Sequence, residues 1–168
     1  MARSDRLAQG ADGKHRGEDD RPGIDIYGNN SFLRHDPLLM NMSTSVTQGI
    51  RVSVHTHYEA RQSDPNAARW IFSYRIRIEN TSAGAVKLLR RQWFIWDSLG
   101  VPRRVEGPGV VGETPVLGSG EVFTYSSFCD LKSSVGRMHG SYLMQRADGS
   151  TFHVRIPAFH LHWPWLRN

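Results

Sequence analysis

From about Val46 onward the chain alternates apolar and polar residues with a period of two, the pattern of an extended strand with one buried face. Along Ile50–Glu59, Ile50, Val52, Val54 and Tyr58 fall on one side, and Arg51, Ser53, His55, His57 and Glu59 on the other. In RWIFSYRIRIEN the alternation is cleaner, with Trp70, Phe72, Tyr74, Ile76 and Ile78 opposed by Ser73, Arg75, Arg77 and Glu79. Further strands are expected over 85–97, 101–106, 121–131, 136–147 and 150–161. Within 85–97 the pattern leaves the buried face open, because Trp93 and Ile95 share one side and Phe94 and Trp96 the other. Turn-forming residues punctuate the series at 80–84, 98–100, 118–120 and Asp148-Gly149. The last is expected as a type I′ hairpin turn. No segment carries a helical stripe. Seven short strands so spaced predict an all-β fold, an antiparallel β-sandwich of immunoglobulin or fibronectin type III-like shape. The single cysteine, Cys129, removes the disulfide signature of antibody domains and favours the fibronectin-like form.

Residues 1–45 break this pattern. Within 1–30 there are five basic and six acidic residues, five glycines and few apolar side chains. Such a segment buries too little surface to offset the entropy of ordering, so 1–45 is expected to be a disordered extension and 46–168 the folded domain. The chain's net charge is +5, and the arm's share is 5 − 6 = −1, so the folded part carries the basic excess. That favours an anionic partner and aids solubility. The Lys/Arg density nevertheless falls short of a dedicated nucleic-acid binder. No apolar run is long enough for a membrane span, and no secretory signal is visible, so a cytoplasmic protein without membrane contact is expected.

The stretch VEGPGVVGETP contains Gly107, Gly109 and Gly112 in the G-x-G-x-x-G spacing of dinucleotide-binding loops. That motif needs a helix after the last glycine to receive the pyrophosphate. Here Pro115 and Gly118-Ser-Gly120 follow, then a strand, so the Rossmann reading fails. Two readings remain. Loop N–H groups could form an anion-binding nest beside Arg90, Arg91, Arg103 and Arg104, or the glycines could serve positive φ in a crossover between sheets.

Six segments in order, QSDP (62–65), WIFSYRIRIEN (70–80), LLRRQWFIWD (88–97), VEGPGVVGETPVL (105–117), GSYLM (140–144) and IPAFHL (156–161), closely resemble the bacterial ApaG proteins. The resemblance covers about 46–164 and implies a fibronectin type III-like sandwich. It identifies the glycine stretch as the family's own motif. Related domains in some eukaryotic F-box proteins and in a DNA-polymerase-interacting protein look like binding modules. Bacterial members are linked by name to cobalt and magnesium efflux, and their genes often neighbour a diadenosine tetraphosphate hydrolase. Two departures stand out: the long N-terminal arm, and Gln92 where a His is common.

Other side chains offer chemistry. His55/His57 and His160/His162 each place two imidazoles on one strand face, a spacing that can chelate zinc or cobalt if the first and last strands adjoin. Solvated outward histidines are the competing account. Ser126, Ser127 and Cys129 are potential nucleophiles, and His139 or His153 potential bases, but no nucleophile motif surrounds them. Trp163 and Trp165 flank Pro164, which precludes a ladder hydrogen bond, and are candidates for an exposed contact to a second copy or another protein. The function expected is thus a non-enzymatic protein-interaction module, using a sheet face or edge, the loop at 107–115 and Arg91, Arg103 and Arg104. The alternative is a protein holding pyrophosphate or a nucleotide on the glycine loop, with a divalent ion such as cobalt or magnesium. No cofactor is otherwise expected.

Overall fold

The computed structural model describes residues 41–164. The expected strands are present: β2 (Ile50–Tyr58), β3 (Trp70–Asn80), β4 (Val86–Asp97), β5 (Arg103–Pro108), β7 (Val122–Leu131), β8 (Val135–Arg146) and β9 (Thr151–His162). Two were not read from the sequence, β1 (Asn41–Thr47) and the short β6 (Val116–Leu117). β1 moves the start of the folded domain ahead of the expected boundary at 45/46. The rest of the N-terminal expectation, 1–40, lies outside the described residues.

The strands form two antiparallel sheets. The first has the order β1-β2-β3-β7, the second β5-β4-β8-β9, with β6 paired to the start of β4. The chain crosses between sheets at β3–β4, before β7 and before β8, which makes a sandwich of the fibronectin type III kind. Its core is the set of inward positions seen in the alternation: Ile50, Val52, Val54, Ile76 and Ile78 from one sheet meet Tyr142, Met144, Val154 and Ile156 from the other. Each such buried aliphatic side chain contributes about 1.5–3 kcal/mol.

Two bulges reset the alternation and resolve the ambiguity in 85–97. Leu89 is an extra residue between the pairs Leu88↔Met144 and Arg90↔Leu143. Inward positions therefore change from Val86 and Leu88 to Arg91, Trp93, Ile95 and Asp97, and Phe94 and Trp96 turn outward. In β9, Pro157 and Ala158 stand between the pairs Ile156↔Gly140 and Phe159↔Met138. Proline has no N–H to give the ladder, which makes a bulge the place for it.

The turns follow their residue chemistry, with one correction. Gln48 and Gly49 join β1 to β2 with φ of 49° and 81°, a type I′ geometry. At Asp148-Gly149 only the glycine has positive φ, so the expected type I′ turn is not formed. The Gly149 amide bonds to the Arg146 carbonyl at 3.0 Å, closing a type I turn with a left-handed glycine behind it. Asp148 stays out of the left-handed region while its Oδ1 accepts from the Ser150 amide at 2.9 Å and hydroxyl at 2.7 Å.

Polar side chains close the edge of β9. The Ser45 hydroxyl donates to the Arg155 carbonyl at 2.8 Å, the Arg155 amide to the Thr47 hydroxyl at 3.2 Å, and the Thr56 hydroxyl to the His160 carbonyl at 3.4 Å. These bonds engage groups that an edge strand would otherwise offer to another chain.

Candidate interaction face and the glycine hairpin

The glycine stretch folds as a tight hairpin that continues β5. The Gly109 amide donates to the Leu89 carbonyl at 2.9 Å, and Val110 and Glu113 exchange amide bonds of 2.8 and 2.9 Å. Between them Val111 and Gly112 turn the chain with φ of 44° and 83°. Each glycine has a separate reason. A Cβ on Gly109 would sit 2.0 Å from the Glu113 carbonyl oxygen, and one on Gly107 would meet the Arg91 guanidinium at 3.2 Å. Gly112 supplies positive φ at the turn.

Arg91 lies across Gly107 and donates to the Pro108 and Gly109 carbonyls at 3.1 and 2.9 Å. Arg103 pairs with Asp130 of β7 at 2.9 Å and also donates to that residue's carbonyl. Arg104 pairs with Glu106, which also accepts from the Gln92 side-chain amide, so Gln92 has a structural partner. Gln92 and Arg104 together hold the Glu106 carboxyl below its ordinary range. The three amides at 109, 110 and 113 thus have intramolecular acceptors, and the three arginines have partners of their own.

The histidine pairs do not meet. β2 and β9 are neighbours across the sandwich, but Thr56 points inward between His55 and His57, as Leu161 does between His160 and His162. The two pairs therefore project outward from opposite sheets. Among the described residues no group of three or more His, Cys, Asp or Glu is placed to hold a metal ion. Trp163 is half-buried, edge-on to Trp70 at 5.3 Å, and its amide bonds to the Ser134 carbonyl at 2.9 Å, so the ring packs back on the sandwich. Trp165 lies outside the described residues.

The nucleophile candidates likewise lack a base. Burial pushes the Cys129 thiol up to about 11. Exposed Ser126 lies on the first sheet's outer face, whereas exposed His139 and His153 lie on that of the second. Inside the sandwich the Tyr125 and Tyr142 hydroxyls bond to each other at 2.6 Å, and burial raises both.

What the sequence did not single out is the outer face of β5-β4-β8. Phe94 and Trp96, 37% and 45% exposed, project from β4, an interior strand. His139 stacks on the Phe94 ring at 5.1 Å and 16°, and Arg104 lies 5.7 Å from its centroid. The next row pairs Trp96 with Arg137 of β8, which in turn pairs with His160. A groove of about 260 Å³ opens here, lined by Phe94, Trp96, Pro102, Arg104, Arg137 and His139. Leu99 and Val101, both 82% exposed, stand in the loop between β4 and β5.

Buried Asp97 anchors that loop. Its carboxylate accepts from the Lys132 amide and the Ser133 hydroxyl, each at 2.6 Å, and from the Leu99 amide at 3.2 Å. Burial alone would raise this carboxyl; the bonds from Ser133 and from the Lys132, Leu99 and Gly100 amides outweigh it and hold it low. The only sequence signal for the face was the bulge-dependent choice between Trp93/Ile95 and Phe94/Trp96.

Fold and surface together define a fibronectin type III-like β-sandwich module with an exposed aromatic and basic sheet face. No helix among the described residues is long and apolar enough to cross a membrane. The sequence profile of the ApaG domain matches residues 60–146. The protein named ApaG from Sinorhizobium fredii is 46% identical over 125 residues, 74% of this chain and 96% of the relative. The ApaG protein of Thiobacillus denitrificans is 49% identical over 115 residues, covering 68% and 91%. A crystal structure of an ApaA protein from Bordetella pertussis superposes with a TM-score of 0.67 at 35% identity, covering 77% of this chain and 99% of that one. The chain belongs to the ApaG family. None of these names denotes a catalytic activity.

Proposed function

We propose that this ApaG domain is a non-enzymatic protein-interaction module whose contact face is the outer surface of β5-β4-β8 around Trp96. The observation that carries the reading is an exposed tryptophan and phenylalanine side by side on an interior strand, ringed by arginine and histidine. Aromatic and arginine side chains dominate the energetics of protein interfaces, and interior strands of a sandwich have no structural need to expose them. The first sheet offers a contrast. Its exposed apolar residues Met42, Val46, Val122 and Phe128 sit on its edge strands, while its interior carries Arg51 and Arg77 bridged to Glu79 at 3.0 and 2.6 Å. Supporting the non-enzymatic part, Ser126 lies on the opposite outer face from His139 and His153, and burial raises the Cys129 thiol. The pyrophosphate alternative is weakened by amides and arginines that already have partners.

The test places a photo-crosslinking amino acid at position 96 and, in a separate chain, at position 77. Discrete crosslinked species in cells from position 96 and none from 77 are expected. Equal patterns from both positions, or none from 96, would reject this face.

A further inference from the structure

We propose that the face around Trp96 docks a short acidic segment of another protein, an extended stretch in which Asp or Glu flanks an apolar residue. The inference rests on the interaction-module reading above and names the chemistry of its partner.

Charge complementarity carries the argument. The rows around Phe94 and Trp96 present Arg104, Arg137, His139 and His160 against a single carboxylate, Glu106. Glu106 is occupied by Arg104 and Gln92. Arg137 is exposed and has no ion-pair partner among the described residues, unlike Arg51, Arg77, Arg103 and Arg104. Trp96 beside it has no ring partner or hydrogen-bond acceptor among the described residues. The guanidinium and the indole N–H are unmatched donors on paired residues of adjacent strands, and a carboxylate supplies acceptors for groups of both kinds. The groove lined by Pro102 and Trp96 leaves room for one apolar side chain.

A single-stranded nucleic acid would need successive aromatic faces for its bases and a track of cations for its phosphates. The Phe94 ring is already engaged, stacked by His139 and approached by the Arg104 guanidinium, so on this face Trp96 alone has no ring partner among the described residues. A peptide needs no ring faces: it uses the edge of Phe94, the indole and the arginines.

The experiment uses the full chain, labelled with ¹⁵N, and follows the Trp96 indole N–H resonance, assigned by its loss in Trp96→Phe. Three probes are titrated: a peptide with Asp and Glu flanking Leu-Phe, the same peptide with Lys in place of the acids, and a single-stranded oligothymidylate. The acidic peptide is expected to shift the Trp96 resonance saturably and the Lys peptide to leave it in place. Arg137→Glu should weaken the acidic peptide about 10-fold or more, and salt should weaken it further. An unmoved Trp96 resonance, equal binding of the Lys peptide or the oligothymidylate, or unchanged affinity in Arg137→Glu would overturn the proposal. If the peptide fails while crosslinks from position 96 persist in cells, the acidic-segment inference falls and the interaction-module reading stands. If both fail, the face itself is wrong.

Discussion

The hairpin at 107–113 and the face around Trp96 belong to one sheet and both border arginines, yet they differ in how much of their bonding capacity the protein itself uses. In the hairpin the amides of Gly109, Val110 and Glu113 and the carbonyls of Pro108 and Gly109 have intramolecular partners. On the face, the Trp96 indole and the Arg137 guanidinium have none among the described residues. Glycines beside positive charge therefore do not by themselves make a ligand site. A surface invites a partner where polar groups and aromatic area remain unmatched.

The comparison breaks first at Gly109. Gly109→Ala forces a Cβ against the Glu113 carbonyl at a positive φ and should destabilise the protein by about 3 kcal/mol in urea unfolding. A near-neutral result would mean that the hairpin is looser than described and that its amides are free for a ligand. Next is Asp97→Asn, which removes the charge accepting from Ser133 and the loop amides; about 2 kcal/mol should be lost at pH 7. Because the folded carboxyl is held low, its contribution is present above the unfolded value of about 4 and is lost as pH falls through the folded value. The gap between parent and variant should accordingly close towards acid. A gap that stays constant from pH 7 to pH 3 would show that the charge is not what anchors the loop.

Smaller effects sharpen the contrast. Val111 is β-branched at φ 44°, a conformation that asparagine tolerates far better, so Val111→Asn should stabilise by about 1 kcal/mol in thermal unfolding. A loss instead would give the valine a packing role at the hairpin tip. Trp96→Ser should change stability by no more than about 0.5 kcal/mol while abolishing acidic-peptide binding. A loss of 2 kcal/mol or more would mean that the indole is packed against the sheet, and the two regions would then be alike.

Much of the fold was legible. Phe72, Tyr74, Ile76 and Ile78 alternate with polar residues, and β3 runs as that pattern requires. β1 was illegible because its inward positions, Ser43, Ser45 and Thr47, are small and polar; Ser45 and Thr47 bind the β9 backbone across the sandwich instead of filling the core. The candidate site was legible only in part. Arg104 does lie on the exposed face, but Arg91 and Arg103 pin the hairpin and β7, and Trp163 packs on Trp70. Local spacing reports which residues share a face of one strand and says nothing of which strand lies opposite.

By itself, then, the sequence determined the period-two strands, most of their turns and the family, because these depend on side-chain alternation and backbone preferences within a few residues. Only the tertiary structure decided the rest. Leu89 as a bulge sends Phe94 and Trp96 outward, and the pairing of β4 with β5 and β8 brings Arg104, Arg137 and His139 around them. The reason is physical: a one-residue shift in register reverses every later side chain on a strand, and hydrogen bonding to distant partners sets that register.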